Sequence, residues 1–138
     1  MYLSRHQTLA GPRWALDGKF LPQGLSLSAL LAVPRQAAVN LLQPFKLDEA
    51  ANGELLAPID AGQEVWGSGV TYLRSRAARM AESTTADVYS KVYDAERPEI
   101  FFKQIGWRTV GQGQPVGLRQ GTRWNVPEAE VNLVDKAF

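Results

Sequence analysis

Cysteine is absent from the 138 residues, and histidine occurs only once. The first absence excludes disulfides, thiolate catalysis and sulfur-held zinc, and it fits a reducing compartment. The second rules out histidine triads and multi-histidine metal sites within the chain. The lone His6 is expected to be a surface or satisfied polar residue. Charge of one sign is missing too. The 15 Lys and Arg against 14 Asp and Glu leave a net +1, with no pull towards nucleic acid or an anionic membrane. The best apolar run, residues 25–33, is far too short to span a bilayer. The opening Met1-Tyr2-Leu3-Ser4-Arg5-His6-Gln7 turns polar too soon for a signal peptide. These absences lead to the expectation of a soluble, cytoplasmic protein.

What is present is an ordinary globular composition, 45% hydrophobic and 21% charged, enough to build a core. Asp17-Gly18 between two apolar segments is a type I′ hairpin signal. Ser26 is placed to cap a short helix over residues 27–32, and Pro34 opens a second through Leu42. Asn52-Gly53 marks a turn or linker. Beyond it, residues 64–71 read as a strand containing Gly67 and Gly69, where glycine signals a bulge or close approach of another group. Helices are expected over residues 72–83 and 87–95, then an aromatic strand at Ile100-Phe101-Phe102-Lys103, a turn at Gly111-Gln112-Gly113 and a strand over residues 116–119. The pattern is α+β: a small N-terminal α/β domain, 1–54, and a strand-rich domain, 55–138.

Several groups carry potential chemistry. On a strand, Glu128, Glu130 and Asn132 share one face and Ala129, Val131 and Leu133 the other. The two carboxylates are either ligands for a hard divalent cation or part of a solvated polar face. Arg74, Arg76 and Arg79 on one helix either clamp an oxyanion or pair locally with Glu82. Glu99 and Lys103 fall on one strand face by parity, as a proton-transfer pair or as a plain ion pair. Gly111-x-Gly113 lacks the Lys-Ser/Thr ending of a phosphate loop and reads as a turn.

Three stretches, taken in order, resemble the fumarylacetoacetate hydrolase superfamily: Glu64-Val65-Trp66-Gly67-Ser68-Gly69-Val70-Thr71-Tyr72, then residues 91–103, then Trp124-Asn125-Val126-Pro127-Glu128-Ala129-Glu130. The resemblance runs from about Pro58 to Leu133. It implies a mixed β-roll behind a small N-terminal domain. It also implies a divalent metal, Mg²⁺ or else Mn²⁺ or Ca²⁺, held by a Glu-x-Glu pair and a later Asp. The pair falls on Glu128 and Glu130, and the later Asp is expected beyond Phe138, so the chain reads as the N-terminal portion of such an enzyme.

Where hydrolase members of this family carry a catalytic His, Gly69-Val70-Thr71-Tyr72-Leu73-Arg74-Ser75 places Ser75, which is no imidazole-type base. Val92-Tyr93-Asp94-Ala95-Glu96-Arg97-Pro98-Glu99 instead resembles the branch that dehydrates 2-keto-3-deoxy sugar acids of the arabinonate type. The resemblance then implies Glu99 and Lys103 as catalytic residues, and Thr71 and Arg74 as substrate-binding ones. The chemistry implied is loss of a C3 proton and a C4 hydroxide from a 2-oxo acid whose enolate a metal stabilises. The rival readings are a hydrolase or decarboxylase of another oxo acid, and a non-catalytic truncated or assembly module. As partners, a small 2-oxo acid and either a second copy or the remainder of the enzyme are expected.

Overall fold

The computed structural model describes residues 1–123 and Asn125. The architecture is α+β. It divides into two compact units, one formed by Met1–Gln63 with the stretch from Trp107 onward, the other by Glu64–Gly106. Among the described residues no helix is long and apolar enough to cross a membrane.

The first unit is built on a four-stranded antiparallel sheet. Its strands are β1 (Leu3–Thr8), β2 (Gly11–Leu16), β3 (Lys19–Phe20) and β4 (Leu55–Leu56), in the order β3-β2-β1-β4. Asp17 and Gly18 join β2 to β3 with φ of 49° and 78°, the double left-handed turn that the Asp-Gly pair predicts. Helix α1 (Leu27–Leu31) starts where expected. The Ser26 hydroxyl accepts from the Ala29 amide at 3.1 Å, and the Asp60 carboxylate accepts from the Leu27 amide at 2.8 Å. Helix α2 (Arg35–Leu42) follows Pro34.

One sheet face sends Trp14 and Leu16 into a core with Leu21, Leu27, Leu30, Ala38 and Leu42. The other face buries Phe20 and His6, whose rings meet edge to face at 5.7 Å.

Strand β1 has no strand signal in the sequence. The inward residues of β1 are Ser4 and His6, so the strand shows no apolar alternation. They satisfy each other, with Ser4 Oγ 2.9 Å from His6 Nε2. The lone histidine is therefore a buried, hydrogen-bonded strut. The strand expected over residues 116–119 is not formed. Val116 and Leu118 lie exposed, and among the described residues no strand edge pairs with them. The neighbouring turn is present: the Gln114 amide donates to the Gly111 carbonyl at 3.2 Å, and Gly113 has φ 82°. Gly111 lies so close to the backbone of Leu55 and Leu56 that no Cβ fits there.

The second unit holds a two-stranded antiparallel sheet, β5 (Glu64–Ser68) with β6 (Ile100–Ile105), and two helices between them, α3 (Leu73–Glu82) and α4 (Ala86–Tyr93). Arg76 ties the helices together. Its guanidinium donates to Ser90 Oγ at 2.8 Å, stands 3.5 Å from Asp94 Oδ1 and lies 5.1 Å above the Tyr93 ring.

Candidate functional site

Glu99, Thr71 and Arg74 all belong to the second unit, and the sheet positions the first of them. Trp66 pairs with Phe102, Gly67 with Phe101 and Ser68 with Ile100. Successive side chains therefore alternate between an aromatic face and a glycine face. On the aromatic face Trp66 and Phe102 meet edge to face at 5.8 Å, and the Trp66 indole N–H donates to Glu64 Oε2 at 2.9 Å. On the other face two glycines lie under large groups. A Cβ on Gly67 would stand 2.6 Å from the Phe101 ring. One on Gly69 would stand 2.9 Å from Glu99 Oε2 and 3.1 Å from Val92 Cγ1. The close approach that the strand glycines signalled is thus made by an aromatic ring and a carboxylate. Glu99 is pinned there through its backbone, because the Gly69 amide donates to the Glu99 carbonyl at 3.0 Å.

Strand β5 ends in a sharp turn. Val70 takes φ 48°, a left-handed conformation that a β-branched residue rarely adopts. Thr71 follows it exposed, and Arg74 lies exposed in the first turn of α3, which contains no acidic residue. The three helix arginines do not act together. Arg76 faces α4, and Arg79 pairs with Glu82 at 3.3 Å.

Lys103 lies further along β6, also exposed, and the strand is irregular at this point. Val65 pairs with Gln104 and Trp66 with Phe102, so Lys103 falls between the two partners as an extra residue. A bulge of this kind interrupts the alternation of faces, and simple parity no longer relates Lys103 to Glu99. Sequence alone has no signal for it, since the bulge depends on the register with β5. Glu128 and Glu130, the candidate metal ligands, lie outside the described residues. Among the described residues no group of three or more His, Cys, Asp or Glu is placed to hold a metal ion.

No protein-family model matches the chain. Individual proteins do. The chain is 49% identical over 107 residues to the Haloferax volcanii protein named "Probable 2-keto-3-deoxyxylonate dehydratase", a match covering 77% of this chain and 37% of the relative. The chain is similar to sugar-acid dehydratases. A second relative, the 2-dehydro-3-deoxy-D-arabinonate dehydratase of Saccharolobus solfataricus, is 40% identical over 100 residues, or 69% of this chain and 32% of the relative. Among solved structures, 2-keto-3-deoxy-D-arabinonate dehydratase complexed with magnesium and 2,5-dioxopentanoate matches with a TM-score of 0.54 and 27% identity, over 90% of this chain and 46% of that one. The chain thus spans about a third of the length of these two relatives and just under half of that solved chain.

Proposed function

We propose that this chain forms part of a metal-dependent dehydratase of a 2-keto-3-deoxy sugar acid, of the fumarylacetoacetate hydrolase type. The observation that carries the reading is the 49% identity to a protein named as such a dehydratase. The solved relative adds the chemistry. Its ligand, 2,5-dioxopentanoate, differs from 2-keto-3-deoxyarabinonate by one water, so the net change is elimination across C3 and C4 followed by tautomerisation that makes C5 the aldehyde, with no redox partner.

Glu99 is our candidate for one of the two proton transfers, either removal of the C3 proton or protonation of the C4 hydroxyl as it leaves. The residue is exposed, and its backbone is held by Gly69. Lys103 on β6, which begins just after Glu99, is the second candidate for proton work. Thr71 and Arg74 flank the start of α3, where helix amides and a guanidinium favour a carboxylate, and we assign them to the substrate's acid group. We assign Glu128 and Glu130 to the cation, Mg²⁺ by analogy with the solved relative, together with a third ligand outside this chain. When bound, such an ion supplies Lewis acidity to the 2-oxo acid. We further infer that the chain associates with its own copy or with the remainder of the enzyme. Trp66, Phe101, Phe102 and Ile100 are all exposed on a sheet that has two strands among the described residues, which favours this reading.

The test is turnover of 2-keto-3-deoxy-D-arabinonate and 2-keto-3-deoxy-D-xylonate with Mg²⁺. The 138-residue chain alone is expected to be inactive. Joined to the part of the haloarchaeal relative that it does not match, it is expected to dehydrate one of them. Glu99→Gln should lower that turnover by about 10²–10⁴-fold, the range of a single acid–base group. A folded hybrid without turnover overturns the assignment, and so does full activity in Glu99→Gln.

A further inference from the structure

Gly69 presents a question that backbone geometry does not answer. Its φ lies outside the positive range that demands glycine, whereas the next residue, Val70, takes the left-handed turn at 48°. The chain therefore places its glycine beside the strained position and not on it. What Gly69 provides is space. A Cβ there would meet Glu99 Oε2 at 2.9 Å, Val92 Cγ1 at 3.1 Å and Glu99 Cβ at 3.6 Å. Two of these three atoms belong to the glutamate that the proposed reaction uses.

We propose that Gly69 is a positioning residue whose missing side chain is the seat of the Glu99 carboxylate; this rests on the dehydratase reading above. Three features define the seat. The Gly69 amide fixes the Glu99 carbonyl at 3.0 Å, so the two residues cannot slide past each other. The space that a Gly69 Cβ would take lies 2.9 Å from Glu99 Oε2. Val92 forms an apolar wall, and its helix α4 is held to α3 by Arg76 through Ser90 and Asp94. Glu99 thus has the glycine and Val92 on one side, and as a residue it is exposed. Position matters for proton transfer, since a misplacement of about 1 Å can cost about 10²-fold in rate.

The arrangement also predicts that an added methyl is tolerated by the fold. The atom met first, Oε2, is the far end of an exposed, flexible side chain, and Val92 needs to yield only a few tenths of an ångström. Gly69→Ala should therefore fold normally and displace chiefly the carboxylate. Gly62, which has nothing within 4 Å and no positive φ, supplies the control Gly62→Ala.

The experiment has two arms. In the 138-residue chain, NMR should show Overhauser contacts from the Glu99 side chain to the Gly69 Hα and the Val92 methyls. These should be lost in Gly69→Ala and kept in Gly62→Ala. In the active protein of the turnover assay, Gly69→Ala should lower kcat by about 10–100-fold with KM within about twofold. It should cost nothing further when added to Glu99→Gln. Gly69→Ala/Val92→Ala, which opens the wall, should recover part of kcat. Missing Overhauser contacts in the parent chain overturn the seat. A large loss in Glu99→Gln beside an unchanged Gly69→Ala overturns the positioning role and leaves the dehydratase reading intact. An unaffected Glu99→Gln removes that reading and the inference with it.

Discussion

Phe20→Ala is the most severe single truncation expected in the first unit. The ring is 1% exposed, the largest of the fully buried side chains. It meets the His6 ring edge to face at 5.7 Å, and the Arg13 guanidinium lies 4.5 Å above it. Removing it leaves a cavity, takes the aromatic partner from His6 and strips the apolar floor from a half-buried arginine. Phe→Ala changes in such sites cost about 3–5 kcal/mol. A natural domain has about 5–15 kcal/mol in total, and a unit this small belongs near the lower end, so most of the stability should go. With a urea m-value of about 1.5 kcal/mol/M, a loss of about 4 kcal/mol lowers the midpoint by about 2–3 M.

The backbone bonds of Phe20, to Glu49 and Leu47 at 2.9 Å each, do not involve the ring. Any loss therefore reports on packing. The measurement is urea unfolding followed by the NMR signal of the Trp14 indole, which is buried in the same unit. Phe20→Leu, which restores most of the volume, should cost under about 1.5 kcal/mol. A midpoint shift below about 0.5 M for Phe20→Ala would refute the packing described for this face of the sheet.

Two further outcomes follow from the second unit. Arg76→Ala removes the bonds to Ser90 and Asp94 and the contact with Tyr93; because Asp94 is largely exposed, the expected cost is about 1–2 kcal/mol. Hydrogen exchange of the α4 amides should then speed up by about 5–30-fold, and unchanged exchange would show that the helices are joined by something else. Light scattering at low micromolar concentration should find the 138-residue chain associated, and Trp66→Ser/Phe102→Ser should shift it towards monomer. A monomeric parent chain would remove the aromatic sheet face as an interface.

Where local chemistry decides, the sequence was sufficient. Asp17-Gly18 specified its hairpin because few residue pairs accept two successive positive φ angles. Ser26 capped α1 because its hydroxyl needs only an amide three residues on. The segments bearing Glu99, Thr71 and Arg74 were recognisable by residue order, and the two strand glycines announced that something approaches them.

Tertiary structure decided the rest. Strand β1 could not be read because its polar inward residues become acceptable inside only when β2 pairs with it and Phe20 packs against the His6 ring. The extra residue at Lys103 exists only in the register of β6 against β5, and that register overrode the parity that had paired it with Glu99. The three helix arginines looked equivalent along the chain until α4 packed against one of them. That a Cβ on Gly69 would meet the Glu99 carboxylate likewise concerns two residues thirty positions apart. Residue type and spacing determine what a side chain can do. Which neighbour it does it with depends on contacts between distant segments, and these arise only as the chain folds.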